Sequence, residues 1–481
     1  MRPLNDPTLL RSQVLIDGEF CGEPSVAVMN PANGSVVGKV PRCGSGEATR
    51  AVSAAALAFP GWAARTAKQR SALLQRWFEL IIAHREDVAT ILTREQGKPL
   101  AEALAEIDYA ASYVEFYAEE AKRLAGEMLP SHRVDARILV LRRPIGVVAA
   151  ITPWNFPAAM IARKIAPALA AGCTVVAKPA LETPLTALAL AELAHRAGIP
   201  AGALNVITGN SREIGGVLTT HPAVRLVSFT GSTAIGKQLM AQAATTVKKV
   251  ALELGGNAPF IVFEDADLDA AVDGAMLSKY RNMGQTCVCT NRLYLQSGIH
   301  DAFVERLVAR VSTLRIGDGF DAGIDQGPLI NEEAVLKVEG HIADAVAKGA
   351  VVAAGGARHK LGRSFFQPTI ITGATSAMVL AQEETFGPLA AVFRFDTEDE
   401  VIAAANDTDS GLAAYAYTRD LARAFRVMER LDYGIVGINS GLISTELAPF
   451  GGVKESGNSR EGSHHGIIEY TEIKYVCVGG L

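Results

Sequence analysis

The 481-residue sequence is poor in cysteine and in aromatic residues, has no excess of basic charge, and contains no long apolar run. Each shortage excludes something. Six cysteines, at positions 21, 43, 173, 287, 289 and 477, are too few and too scattered for a disulfide framework, so a reducing compartment is expected. A net charge of −5 leaves no strongly basic domain to neutralise phosphates, which argues against a nucleic-acid partner. No run reaches the roughly 18 apolar residues that a membrane helix needs. Among the longest, "IAPALAAGCTVVA", is broken by a proline and a glycine. The opening "MRPLNDPTLLRSQ" lacks the apolar stretch of a secretion signal, and a cytoplasmic protein with no membrane partner is the expectation. There is no fixed-period repeat and no low-complexity tract.

What is present is the composition of an ordinary globular protein: 49% hydrophobic, 20% charged, with 45 glycines for turns and close approaches. The length implies about two to three domains. Residues 69–96 read as one amphipathic helix closed by Gly97, Lys98 and Pro99. From 146 to 256 short apolar segments, "GVVAAITP", "TVVAKP", "ALNVITG", "VRLVSFTG" and "KVALELGG", alternate with helical ones. One of those helices has Thr183 as its expected N-cap, Pro184 at its first position and Gly198 as a stop. Near-continuously apolar strands alternating with helices predict an α/β fold with a parallel sheet covered on both faces. Such sheets bind ligands at the carboxyl ends of their strands, and here those ends carry Asn155, Lys178, Gly209, Gly231, Ser232 and Glu253.

A second alternating pattern spans 259–440 and includes "PFIVFED", "NRLYLQ" and "LAAVFRF". Residues 131–144 alternate apolar and polar and read as a protruding hairpin. The tail "EYTEIKYVCVGGL" is strand-like. An unpaired terminal strand is a liability unless a partner covers it, so a homo-oligomer, dimer or tetramer, is expected.

The chemistry gathers around "NMGQTCVCT", which sets Cys287 and Cys289 one residue apart. A cysteine is a strong nucleophile as its thiolate, but taken alone a buried structural role is the commoner reading of it. A zinc site needs about four ligands, and no second cysteine pair accompanies the distant His464 and His465, so no metal is expected. Asn155, held between Pro153 and Pro157, is placed either to shape a turn or to donate its amide to an oxyanion. Glu253 lies inside an apolar strand, where burial raises a carboxyl toward the range of a general base unless a buried cation pairs with it. Gly255 and Gly256 then let the backbone lie close to a ligand. Lys178 and the helix beginning near Ser232 suit ribose and pyrophosphate contacts, although the dinucleotide fingerprint GxGxxG is missing.

Taken together, "PWNFP", "KPA", "FTGS", "LELGGNAP", "GQTC" and "EETFGP" resemble, in order and spacing, the aldehyde dehydrogenase superfamily over nearly the whole chain. The resemblance implies a Rossmann-type cofactor domain (1–125 and 146–256), an α/β catalytic domain (257–440) and a small β oligomerisation arm (126–145 and 463–481). It implies Cys287 as nucleophile, Glu253 as base for the hydrolytic water, and Asn155 with the Cys287 N–H as oxyanion hole. Trp154, Lys178 and Ser232 would hold the adenosine–pyrophosphate half of the cofactor, and Glu384 and Phe386 the nicotinamide riboside. The thiolate adds to the aldehyde, hydride leaves for the nicotinamide, and water releases the acid from a thioester.

Within the superfamily "GQTCVCTN" and "GLISTELAPFGGVKESGNSREGS" are most similar to succinate-semialdehyde dehydrogenases. That similarity implies a substrate-carboxylate site at Arg163, Arg281 and Ser444, with guanidinium groups that an uncharged aldehyde would leave unpaired. It also makes Cys289 a candidate reversible oxidation partner of Cys287, against the alternative of a small core residue. Glutarate semialdehyde, one methylene longer, differs by only about 1–3 kcal/mol of pocket contact. NAD-preferring relatives often carry glutamate three residues after the lysine. Here Leu181 stands there with Glu182 beside it, so NADP is expected, with NAD as the alternative. Other aldehyde dehydrogenase activities, and a catalytically silent binding protein on the same fold, are the rival readings.

Overall fold

The computed structural model describes residues 2–481. One seven-stranded sheet has the order Lys249–Glu253, Val224–Thr230, Val147–Ile151, Thr174–Lys178, Leu204–Val206, Val14–Ile16, Glu19–Cys21. The first five strands are parallel. Val14–Ile16 joins antiparallel through Leu15 opposite Val206. The apolar runs follow from double burial. Val148, Val175 and Leu226 enter the core on one face, and their neighbours Val147, Val176 and Val227 enter the core on the other. Successive side chains of a strand point to opposite faces, so a sheet covered on both sides shows no polar alternation.

A second seven-stranded sheet has the order Val351–Ala354, Thr369–Thr372, Leu389–Phe395, Thr290–Gln296, Ala258–Val262, Ala413–Tyr417, Ile435–Ile438, parallel except at its first strand. It too divides its side chains between two cores, with Ile261 and Tyr294 on one face and Phe260 and Leu293 on the other. A third, antiparallel sheet has the order Thr471–Gly479, Ala136–Pro144, Glu127–Leu129.

Three local expectations are corrected. The helix read over 69–96 is two helices, Ala67–Ala83 and Arg85–Gln96, because His84 leaves helical geometry at φ −106° and ψ 16°. Thr183 stands at the N-cap position, but its hydroxyl turns to the Trp154 carbonyl. The free N–H groups of Leu185 and Thr186 instead donate to the Glu95 carboxylate, each at 2.8 Å. The terminal strand is not unpaired: Thr471–Gly479 pairs along its whole length with Ala136–Pro144 and leaves only its outer edge open.

Candidate active site

Val147–Ile151 is the middle one of the five parallel strands of the first sheet. The chain continues to strands on one side of it, Thr174–Lys178 and Leu204–Val206, and then to Val224–Thr230 and Lys249–Glu253 on the other. The carboxyl ends of Val147–Ile151 and Val224–Thr230 therefore flank a topological switch point, where open parallel sheets leave a crevice. The loops leaving those ends deliver Trp154 and Asn155 on one side and Gly231 and Ser232 on the other. They line a cavity of about 480 Å³ that Cys287, Glu384 and Phe386 complete. The Trp154 and Phe386 rings meet edge to face with centroids 5.6 Å apart, and Phe386 is held at φ +54°. Ser232, which lines the cavity, precedes the helix Thr233–Ala243 without capping it through its side chain, so that side chain leaves the first N–H groups of the helix unclaimed.

Cys287 lies on the loop between the turn Arg281–Gly284 and the strand Thr290–Gln296. Its thiol is half-buried, and desolvation, then the charge of Glu384, push its pKa up to about 12. Asn155 Nδ2 donates to the Gln285 carbonyl at 2.9 Å. A side-chain amide has two protons, so this bond fixes the amide against the nucleophile loop and leaves its second N–H free. A Cβ on Gly256 would overlap the carbonyl oxygen of Cys287, and one on Gly255 would lie 3.0 Å from Glu384 Oε2. The expectation that Gly256 makes room for a ligand is thus corrected: it makes room for the nucleophile's own backbone.

Glu253 is buried at the end of its strand. Its Oε1 accepts from Ser459 Oγ at 2.9 Å, and its Oε2 has no protein partner. Desolvation, then the nearby charge of Glu461, hold its carboxyl well above the usual range. Glu461 is itself paired, with Lys164 Nζ at 2.6 Å and Arg163 Nε at 2.7 Å.

On the other side of the thiol a small pocket of about 30 Å³ is lined by Cys287, Arg163, Arg281, Ser444, Tyr109 and Phe156, among others. All three residues expected at the substrate carboxylate therefore meet there. Arg163 lies in ion-pair range of Glu461 and stacks over Phe450 at 4.0 Å, with its buried Nε and Nη2 making no hydrogen bond; Arg281 likewise keeps a buried Nε without a partner and lies 5.4 Å over Phe156.

Two expected residues stand apart. Lys178 is buried and does not line the cavity; its Nζ donates to the Pro179 carbonyl. Cys289 is buried with its sulfur accepting from Lys279 Nζ at 3.3 Å. Glu461, Ser459 and Lys164 were not singled out from the sequence. The first two lie in the polar run "GNSREGS", whose composition says nothing of a strand end some 200 residues away.

A nucleotide-sized crevice on a parallel sheet, opening onto a thiol, defines a dinucleotide-dependent enzyme of the thiol-nucleophile class. The chain belongs to the aldehyde dehydrogenase family, whose model matches residues 20–476. Glutarate-semialdehyde dehydrogenase of Pseudomonas aeruginosa is 60% identical over 481 residues, covering 99% of this chain and 100% of that one. The NADP(+) succinate-semialdehyde dehydrogenase GabD of Escherichia coli is 60% identical over 480 residues, 99% of each chain. The crystal structure of succinate-semialdehyde dehydrogenase from Burkholderia pseudomallei superposes with a TM-score of 0.98 at 59% identity, covering 99% of both chains.

Proposed function

We propose that this aldehyde dehydrogenase oxidises succinic semialdehyde to succinate with NADP, through a covalent Cys287 adduct. The observation that carries this reading is the position of Cys287, which lines both the dinucleotide-sized cavity and the pocket bearing Arg163, Arg281 and Ser444. An aldehyde placed at the thiol would extend its far end toward Arg281, whose Nε lacks a partner. A carboxylate there would supply one by charge-assisted hydrogen bonds.

A dinucleotide suits the residues present. The helix at Ser232 offers free N–H groups, Thr230 Oγ1 is buried without a partner, and Glu384 reaches the cavity wall. Trp154, Ser232 and Lys178 would hold the adenosine and pyrophosphate; Glu384 and Phe386 would hold the nicotinamide riboside. Leu181 and the exposed Glu182 leave no buried carboxylate to repel a 2′-phosphate, which favours NADP over NAD. When bound, the oxidised nicotinamide supplies the hydride acceptor.

The chain's own residues would do the rest. As the Cys287 thiol gives up its proton to solvent water, Sγ forms the bond to the aldehyde carbon, and the free N–H of Asn155 would stabilise the resulting oxyanion together with the Cys287 N–H. Such a donor is worth roughly 10²–10³ in rate. After oxidation to the thioester, Glu253 Oε2, the unpartnered oxygen, takes a proton from water while the water oxygen bonds to the acyl carbon; the carbon–sulfur bond then breaks, returning the Cys287 thiolate and releasing the acid. A carboxyl raised by burial is suited to that exchange near neutral pH.

The same reading assigns residues 1–125 and 146–256 to a cofactor domain, 257–440 to a catalytic domain, and 126–145 with 463–481 to an oligomerisation arm. Its support is that the first large sheet takes strands from 14–21 and 147–253 and the second from 258–438. On the arm, Ile473 and Tyr475 are exposed on the edge strand Thr471–Gly479 and Met128 on the opposite edge strand Glu127–Leu129, which supports a homo-oligomer. A cytoplasmic location belongs to the same proposal, resting on six free thiols. No helix among the described residues is long and apolar enough to cross a membrane.

Glutarate semialdehyde is the second reading, favoured by the P. aeruginosa relative. A panel of succinic semialdehyde, glutaric semialdehyde and propanal, each with NADP and NAD, decides. The highest kcat/KM with succinic semialdehyde and NADP is expected; equal values for propanal would end the carboxylate reading.

A further inference from the structure

The segment Gln96–Lys98, which the sequence marked only as the end of a helix, reaches the back of the site. Lys98 is buried, and its ammonium is fully engaged. Nζ pairs with Glu106 Oε2 at 2.6 Å, donates to the main-chain oxygen of Asn155 at 2.9 Å, and lies 3.9 Å over the Phe156 ring. Glu106 in turn accepts at Oε1 from the N–H groups of Ala158 and Ala159, at 2.9 and 3.3 Å, where the helix carrying Arg163 and Lys164 begins.

The Asn155 carbonyl accepts a second bond, from Asn282 Nδ2 at 2.9 Å. Asn282 sits at φ +51° in a left-handed pair with Met283 at φ +58°, a costly conformation for residues with side chains. It is held from the same quarter. Its N–H is shared by the two Glu102 oxygens at 3.2 and 3.0 Å, and its Oδ1 accepts from Gln96 Nε2 at 3.1 Å. One buried cluster thus grips the Asn155 peptide and the turn leading to Cys287, and neither Lys98 nor Glu106 lines either cavity.

We propose that Lys98, anchored by Glu106, is a positioning residue that fixes the Asn155 peptide so that its side-chain N–H points at the developing oxyanion. The proposal rests on the oxyanion role given to Asn155 above. Its physical content is that a charged donor to the Asn155 carbonyl stops rotation of that peptide. The amide is thereby set before reaction rather than during it, which is the condition for such donors to lower a barrier. Loss of Lys98 would then reduce kcat while leaving aldehyde binding in place.

A double-mutant cycle tests this with the full-length enzyme, succinic semialdehyde and NADP. Expected are a kcat loss of about 10²–10³-fold for Asn155→Ala, a loss of at least about tenfold for Lys98→Met with the aldehyde KM within about twofold, and no further loss when the two are combined. Losses that multiply in the double variant, or Lys98→Met with unchanged kcat, overturn the proposal. An unchanged kcat in Asn155→Ala instead overturns the oxyanion reading beneath it. If Lys98→Met does not fold, Lys98→Met/Glu106→Gln removes both buried charges while keeping an acceptor for Ala158 and Ala159, and the same cycle with Asn155→Ala is run on it.

Discussion

Glu461 holds Arg163 in an ion pair of 2.7 Å, although Arg163 lines the pocket expected to receive a carboxylate. The two arginines of that pocket are unequal in charge balance rather than in hydrogen bonding: Arg163 already has Glu461 as its counter-ion, while both keep buried nitrogens without a hydrogen-bond partner, Nε and Nη2 of Arg163 and Nε of Arg281. Arg281→Leu should lower kcat/KM for succinic semialdehyde by about 10–100-fold, the value of a hydrogen-bonded charge, and leave propanal nearly unchanged. Arg163→Leu should instead cost about 2 kcal/mol of stability by stripping a partner from Glu461. Steady-state kinetics with both aldehydes, beside thermal denaturation, separate the two effects.

Burial and then the charge of Glu461 push Glu253 upward, so it keeps its proton to a higher pH than an ordinary carboxyl, and in that form it accepts no proton from water. Acid release should therefore accelerate as pH rises and the carboxylate forms. Glu253→Gln should lose that rising limb and about 10²–10⁴-fold in kcat. A first-turnover burst of reduced cofactor should survive in the variant, because acylation precedes the step that Glu253 serves. Stopped-flow absorbance across a pH series measures both.

The Glu384 carboxyl is pushed up to about 7 by burial, partly offset by the Gly256 N–H. A ribose hydroxyl donates best to the ionised form. Cofactor binding should therefore be fully developed above that value and weaken as pH falls through it, by about tenfold at one unit below. Glu384→Gln should bind weakly at every pH. Fluorescence titration with NADP at several pH values shows whether the dependence is present in the native enzyme and absent in the variant.

Glu95 caps a helix from far away in sequence, through the Leu185 and Thr186 N–H groups. Glu95→Ala should leave both donors buried and unpaired, costing about 2 kcal/mol and lowering the thermal midpoint by a few degrees. Calorimetry of the purified variant checks this.

The strands that build the crevice were legible because burial on both faces forces unbroken apolar runs, and Cys287, Asn155 and Glu253 stood out as polar or reactive residues at the ends of such runs. The break at His84 was not legible, since the apolar stripe of Ala67–Ala83 continues in phase into the next helix and only the backbone angles of His84 interrupt it. The short N-terminal strands joining the first sheet escaped notice because three residues carry no periodicity. Glu461 and Lys98 escaped because their roles are pairings across long stretches of chain. A lone glutamate in "SREGS" and a lysine after a helix-ending glycine look like solvent-facing charges until the fold buries them.

The most direct test is to trap the enzyme on its way through one turnover. Glu253→Gln enzyme is mixed with succinic semialdehyde and NADP, quenched in acid and digested for mass spectrometry. A succinyl group should be found on the peptide containing Cys287 and nowhere else, and Cys287→Ser should show neither adduct nor turnover. Turnover by Cys287→Ser, or acylation at another residue, would contradict the account.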